Sequence, residues 1–366
     1  MGNGKQDLYY GDYLKVPSLL GLQEPKSAEM GDEAHDETLF IIVHQVYELW
    51  FKQIIHELKS ITAIFSKDFV KEESLSIVLC RLQRINKIQG LLVNQLEIIE
   101  TMTPMDFLEF RDLLIPASGF QSAQFREIET VMGLFSRSHS SQKAGKDLGS
   151  HLFSRLSPKD RKHLEDVGKA PSMLELLDKW LERTPFLIEK GFNFWKDYRP
   201  VVQEMLDDDR KTIENNAMLD EKEKAIQVKN IEATAKTFES LFDSRLYEKQ
   251  LEEGTRSLSQ KAMLGALFIL LYRENPLLSV PSMIIASVMD FDEGLTAWRY
   301  RHALMVHRML GTKIGTGGSS GHHYLKASAD RSRIFSDLFD LASFIIPKSK
   351  LPPLPEELKA RLHFAF

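Results

Sequence analysis

The sequence of this 366-residue chain predicts an all-α fold. Apolar residues recur three and four positions apart over long stretches, and recognisable helix caps and proline stops punctuate them. No useful length alternates apolar with polar residues, and no segment repeats. With 43% hydrophobic residues the chain can bury a substantial core, as one large domain or two smaller ones. The expected division is a helical body over residues 21–200 and 251–366, a small charged helical subdomain at 201–250, and a separate N-terminal segment at 1–20.

Residues 39–61, LFIIVHQVYELWFKQIIHELKSI, set apolar groups at helical spacing, and the HDET before them supplies an acidic first turn that suits the helix dipole. Residues 75–101 continue the period through Leu79, Leu82, Ile85, Leu92, Leu96 and Ile99. TPMDFLEFRDLLI opens the next helix with Thr103 as N-cap, Pro104 at the first helical position and Asp106 three after the cap, and stops at Pro116. ASGF then turns the chain into a helix from about 120 to 135.

Residues 136–171 are rich in Ser, Lys and Gly, and are expected to form an exposed connection with short helical pieces. Helices resume at 173–183 and 201–250; the stretch from MLDDDRK to ESLF is highly charged and glycine-free, as in helices that project from a body. Further helices are expected at 257–274, 280–290 and 292–310, with a last amphipathic one at 329–346 before PKSKLPPLP.

The 47 basic and 52 acidic residues nearly cancel, which gives no electrostatic case for nucleic acid or an anionic membrane as partner. The single cysteine, Cys80, excludes an internal disulfide, cysteine-ligated iron–sulfur clusters, zinc knuckles and C-x-x-C-H attachment. Any metal must be held by His, Asp, Glu or a cofactor. No apolar run reaches the roughly 18 residues of a membrane span, and no signal-peptide pattern opens the chain, so a soluble, cytoplasmic protein is expected. MGNGKQ begins like a myristoylation signal, but Gln6 stands where Ser or Thr is required.

WRYRHALMVHRML carries His302 and His307, which point about 140° apart around one helix and cannot share a metal. Both have apolar neighbours, so periodicity does not choose between them. His44 shares a face with Phe40, Tyr47 and Phe51; it is either a core histidine or a neutral imidazole lining a pocket for a flat, apolar ligand with one polar atom. Arg111 has Phe107, Leu108, Leu114 and Ile115 as helical neighbours and needs a planar acceptor, either a tertiary carboxylate or that of a substrate. GTGGSSG follows a helix and lacks the P-loop lysine, so a phosphate cradle is not expected. With four glycines and donors at Thr316, Ser319 and Ser320, it reads as a loop that closes on a ligand or as a plain connection.

A di-iron carboxylate bundle would require Glu-x-x-His, which does not occur, and His44 with Glu48 lacks a partner histidine for a non-haem iron site. One axial histidine to haem is an economical account of the unexplained histidines.

Six segments carry a resemblance, in order between about Tyr10 and Pro347: HDETLFIIVHQVYELWFKQ, ETMTPMDFLEFRDLLIPASGFQS, WLERTPFL, GFNFW, MDFDEGLTAWRYRHALMVHRMLG and GTGGSSGHHYL. Together they resemble the animal-type tryptophan 2,3-dioxygenase family, a haem-dependent group related to the indoleamine 2,3-dioxygenases. The resemblance implies a helical-bundle enzyme with one haem b per subunit. It implies insertion of both atoms of O₂ across the indole C2–C3 bond of L-tryptophan to give N-formylkynurenine, the first step of tryptophan degradation through kynurenine.

By the same resemblance His302 is the axial iron ligand, and His307 is left with a structural role. Phe40 and Phe107 would line the indole slot, and His44, the candidate catalytic residue, would accept the indole N–H. Arg111, assisted by Thr316, would bind the substrate carboxylate, while Ser118 and Gly119 would sit in the distal haem pocket. Tyr10, Tyr13 and Leu14 match residues donated by a neighbouring subunit, which implies a homotetramer, a dimer of dimers, with residues 1–20 exchanged. The implied partners are L-tryptophan and O₂, with no nucleic acid and no membrane.

Thr38, Val43 and Val46 depart from the family pattern, none at an assigned position, and residues 136–171 match least. Two rivals are a haem sensor or storage protein, which needs no ordered substrate pocket, and a haem-free scaffold, which would be colourless. Arg111 and the His44 face argue against the first.

Overall fold

Two long helices joined by a six-residue turn set the frame: α4 (His35–Phe65) and α5 (Glu72–Ile99) pack side by side. The computed structural model describes residues 7–135, 153–185, 187–189, 192–313, 325, 329 and 332–361. Ahead of the frame lie three short helices, α1 (Tyr10–Leu14), α2 (Val16–Leu20) and α3 (Lys26–Glu29). After it come α6 (Pro104–Arg111), α7 (Ala123–Met132), α8 (Pro158–Val167) and α9 (Met173–Glu182). Two two-residue strands, β1 (Ile188–Glu189) and β2 (Phe192–Asn193), pair antiparallel. The chain continues through α10 (Phe194–Glu214), α11 (Glu221–Phe242), α12 (Ser244–Glu253), α13 (Gln260–Leu271), α14 (Pro276–Leu310), α15 (Ser336–Asp340) and α16 (Glu356–Arg361).

The expected all-α class holds, and local chemistry explains most boundaries. Thr103 caps α6 reciprocally with Asp106: the Asp106 amide donates to the Thr103 hydroxyl at 3.3 Å, and the Thr103 amide donates to the Asp106 carboxylate at 3.0 Å. The helices read at 280–290 and 292–310 are one 35-residue helix, α14, begun by Pro276 at its first turn.

The helix expected at 329–346 is instead short. Asp292 on α14 takes the amides of Ile334 and Phe335 at 3.1 Å, so α15 begins only at Ser336 and gives way to a 3₁₀ turn at Leu341–Phe344. Within the charged 201–250 stretch, Val202, Leu206, Phe238, Leu241 and Tyr247 reach the core.

α14 lies along α5, the most extensive helix pairing in the fold. Side-chain amides cross that seam: Asn86 donates to the Ser287 carbonyl at 2.9 Å and Gln89 to the Phe291 carbonyl at 3.1 Å. Gly294 leaves room for the Gln89 side chain at this seam, because a Cβ there would stand 2.6 Å from the Gln89 Oε1. On the other side, the Tyr47 hydroxyl donates to the Leu92 carbonyl at 2.7 Å and Gln95 to the Val43 carbonyl at 3.0 Å. α4, α5 and α14 are thereby fixed in register around the space that their ends enclose.

Candidate active site

That space is a cavity of about 270 Å³, walled by α4, the C-terminal half of α5, α6, the 118–122 turn, α7 and the last turns of α14. Its lining is mostly apolar, with Phe40, Tyr47, Phe51, Leu96, Phe107 and Met309 among the walls. Two histidines enter it from different helices, His44 from α4 and His302 from α14.

Position separates the two α14 histidines. His302 lines the cavity, whereas His307 is exposed and outside it. Burial, with His44 nearby, pushes the His302 pKa down to about 4, so its imidazole is neutral at physiological pH. Its ring lies flat against Trp298, one turn earlier on the helix, with centroids 5.1 Å apart and planes 8° from parallel. Among the described residues no group of three or more His, Cys, Asp or Glu side chains is placed to hold a metal ion. A metal at His302 would therefore take its remaining ligands from a cofactor.

His44 is surrounded by protein but keeps much of its ring open to the cavity. Its Nδ1 lies 2.7 Å from the Phe40 carbonyl oxygen, one turn back on α4. A carbonyl only accepts, so Nδ1 carries the hydrogen, and in the neutral ring Nε2 is left as an acceptor. Burial lowers the His44 pKa, opposed by that backbone bond and by the Glu48 charge, which keeps the ring in this neutral form. Phe40 stacks on Phe107 with centroids 5.7 Å apart, and Phe110 closes the group edge-on at 5.6 Å from Phe40 and 5.4 Å from Phe107. One polar acceptor thus stands in an aromatic slot, an arrangement suited to a flat ring that bears a single N–H.

Ser118 and Gly119 also line the cavity, where Ser118 caps the 3₁₀ turn Gly119–Gln121. Arg111 ends α6 one turn beyond Phe107 and is outside the cavity wall; its guanidinium is largely buried and meets the exposed Asp112 carboxylate at 3.1 Å. Tyr10, Tyr13 and Leu14 on α1 are exposed and likewise outside the wall. Thr316 and the GTGGSSG loop lie outside the described residues.

Several wall residues carry no local signal in the sequence. Glu48 accepts from the Ser122 hydroxyl at 2.6 Å and from the Gln124 amide at 2.7 Å, tying the 118–122 turn to α4 one turn from His44. Deeper in the wall, the buried Glu129 carboxylate bridges two buried guanidiniums, Arg126 and Arg299, each at 2.7 Å. Glu129 and Arg299 are 170 positions apart, and only the fold brings them together.

Comparison with known proteins agrees with this geometry. A family model described as Tryptophan 2,3-dioxygenase matches residues 2–345. A relative from Alteromonas mediterranea named Tryptophan 2,3-dioxygenase is 49% identical over 97% of this chain and 97% of its own length. One of the same name from Dictyostelium discoideum is 45% identical over 100% of this chain and 90% of its own. Tryptophan 2,3-dioxygenase B from Danio rerio is 42% identical over 96% and 85%. With a family model across nearly the whole length and relatives close to half identical, the chain belongs to the tryptophan 2,3-dioxygenase family.

Proposed function

We propose that the cavity is the active site of a haem-dependent dioxygenase, holding one haem b with His302 as axial ligand and L-tryptophan against His44. The oxidative cleavage of L-tryptophan to N-formylkynurenine is the activity that family membership brings. The observation that carries the site assignment is the pair of neutral histidines in one apolar cavity, one with an acceptor nitrogen fixed by its backbone bond.

The residues present fit a haem. A lone neutral imidazole, with no cluster of ligands around it among the described residues, is the donor set of a macrocycle-bound iron, and the walls are apolar enough for its faces. When bound, ferrous haem supplies the O₂ activation and the redox chemistry. The chain's own contribution is orientation. His302 would hold the iron through its neutral imidazole. Phe40 and Phe107 would bound the indole in a plane, and the His44 Nε2 would accept its N–H and so fix its orientation in the slot. Ser118 and Gly119 line the cavity and would face the distal pocket, and the apolar lining would keep water from competing.

Arg111, at the end of α6 one turn beyond Phe107, is assigned to the substrate carboxylate. A charge-assisted bond there is worth about 1.5–3 kcal/mol, roughly ten- to a hundredfold in affinity. Arg111→Leu should therefore raise KM for L-tryptophan by that factor and erase the preference over tryptamine, which lacks the carboxylate. Steady-state kinetics with both compounds checks this, and an unchanged preference would give Arg111 a structural role.

The pH dependence follows from His44. Its folded pKa lies below the ordinary 6.5, so the ring stays an acceptor at and above that pH and becomes a donor only further down. L-Tryptophan affinity should be flat from alkaline pH to 6.5 and fall below it, as titrated by the substrate-induced change in the ferrous spectrum. The stability contribution has the same sign: present above 6.5, and lost as pH falls through the folded value. A decline already complete at pH 6.5 would contradict the acceptor role.

The assembly we propose is a homotetramer in which residues 1–20 complete a neighbour's site. The exposed run Leu8, Tyr9, Tyr10, Tyr13, Leu14, Leu19 and Leu20 supports it, being far more apolar surface than a free segment needs. Mixing a Tyr10/Tyr13 double variant with an Arg111 variant should restore part of the activity lost by each. No recovery under proven subunit mixing would rule out sites built in trans.

A further inference from the structure

We infer that Trp298 is the positioning residue for His302: the indole, laid flat on the imidazole, fixes the angle at which that ring meets the iron. The inference rests on the proposed ligation by His302 and adds to it the group that orients the ligand.

A metal-bound histidine is ordinarily oriented through its second ring nitrogen, which donates to a carbonyl, a carboxylate or water. His302 has no such protein partner among the described residues. Its close ring contact is the nearly parallel Trp298 face, 5.1 Å away between centroids. The four-residue spacing on α14 places one ring over the other, and planes 8° apart leave the imidazole little freedom to rotate about its Cβ–Cγ bond.

Trp298 is itself held. Tyr47 meets it edge-on at 6.0 Å and Phe125 packs on it at 5.1 Å. Tyr47 in turn is anchored to the Leu92 carbonyl of α5, and the Trp298 indole nitrogen is buried away from solvent. A continuous path therefore runs from the backbone of α5 through a tyrosine of α4 and the tryptophan of α14 to the imidazole. An aliphatic side chain in place of Trp298 would fill space but present no plane.

The test uses the haem-loaded enzyme and its Trp298→Leu and Trp298→Phe variants. Two quantities are read: the iron–histidine stretching band of the ferrous protein by resonance Raman, and the rate of haem transfer to excess apomyoglobin. Leucine should broaden or shift the band and speed haem loss about tenfold or more, the scale on which supporting residues act at metal sites. Phenylalanine, which restores a flat face, should keep both near the parent values.

An unchanged band and loss rate in Trp298→Leu, with helicity intact, would overturn the inference. A phenylalanine variant as impaired as leucine would do so too, since a plane would then not be what matters. Should the leucine variant fail to fold, Phe125→Leu loosens the clamp without touching His302. It should broaden the band to a lesser degree, and an unchanged band there also counts against the inference. His302→Ala separates the two levels: haem retained normally in that variant removes the ligation on which the inference stands. Haem lost there, with Trp298→Leu unaffected, removes the inference alone.

Discussion

His302→Ala is expected to yield a folded protein that does not hold haem. Supporting residues at metal sites typically change affinity about 10–100-fold, and loss of the ligand itself should exceed that range. The Soret band of purified protein should be absent or bleach on gel filtration, and N-formylkynurenine formation should fall to background. His307→Ala is the matched control, one helix and five residues away, exposed and outside the cavity. It should keep its haem and its turnover. A His302 variant with a normal spectrum and normal activity would show that the ligand lies elsewhere.

Glu129→Ala is expected to be the most destabilising single change in the cavity wall. Glu129 bridges Arg126 and Arg299, and all three are buried. Truncation leaves two guanidiniums in the protein interior without the carboxylate between them. Removing one member of a buried ionic group costs about 3–5 kcal/mol, most of it the desolvation of the charge left behind. Chemical denaturation of the apoprotein should record that loss, with Glu129→Gln falling less because its side-chain oxygen still accepts one bond. A loss under about 1 kcal/mol would mean that both arginines reach water, as exposed pairs do.

What the sequence made legible was local. The Thr103–Asp106 cap, the Pro104 start of α6 and the long amphipathic periods of α4 and α5 depend on residues within a turn or two of one another, and they folded as read. The break expected near 291 does not occur: α14 runs unbroken past Phe291, whose carbonyl accepts from Gln89 of α5, and Gly294 makes room for that side chain. The helix expected from 329 is shortened because a carboxylate from α14 takes the amides of Ile334 and Phe335, ahead of the helix that begins at Ser336. Both differences arise from partners far along the chain, which periodicity does not register.

The site divides the same way. Phe40, His44, Tyr47 and Phe51 were readable as an aromatic face with one polar atom, and they line one cavity together with Phe107, which only the family resemblance had pointed to. The choice of His302 over His307 needed either family resemblance or the fold, since both have apolar neighbours. Arg126, Glu129 and Arg299 were invisible because no one of them signals the others across 170 residues. Glu48 was visible only as a possible iron ligand, whereas it fastens the 118–122 turn.

The bond from His44 to its own helix has a consequence for how protons can travel. With Nδ1 committed to the Phe40 carbonyl, the ring has a single port, Nε2, and that port faces the cavity. A proton taken there cannot leave by the far nitrogen, because an amide carbonyl is too weak a base to carry it onward. His44 is thus a cul-de-sac: in the proposed site, a hydrogen taken up at Nε2 would have to leave by the same nitrogen. In the proposed site, then, no proton wire to bulk water would run through the far side of this residue.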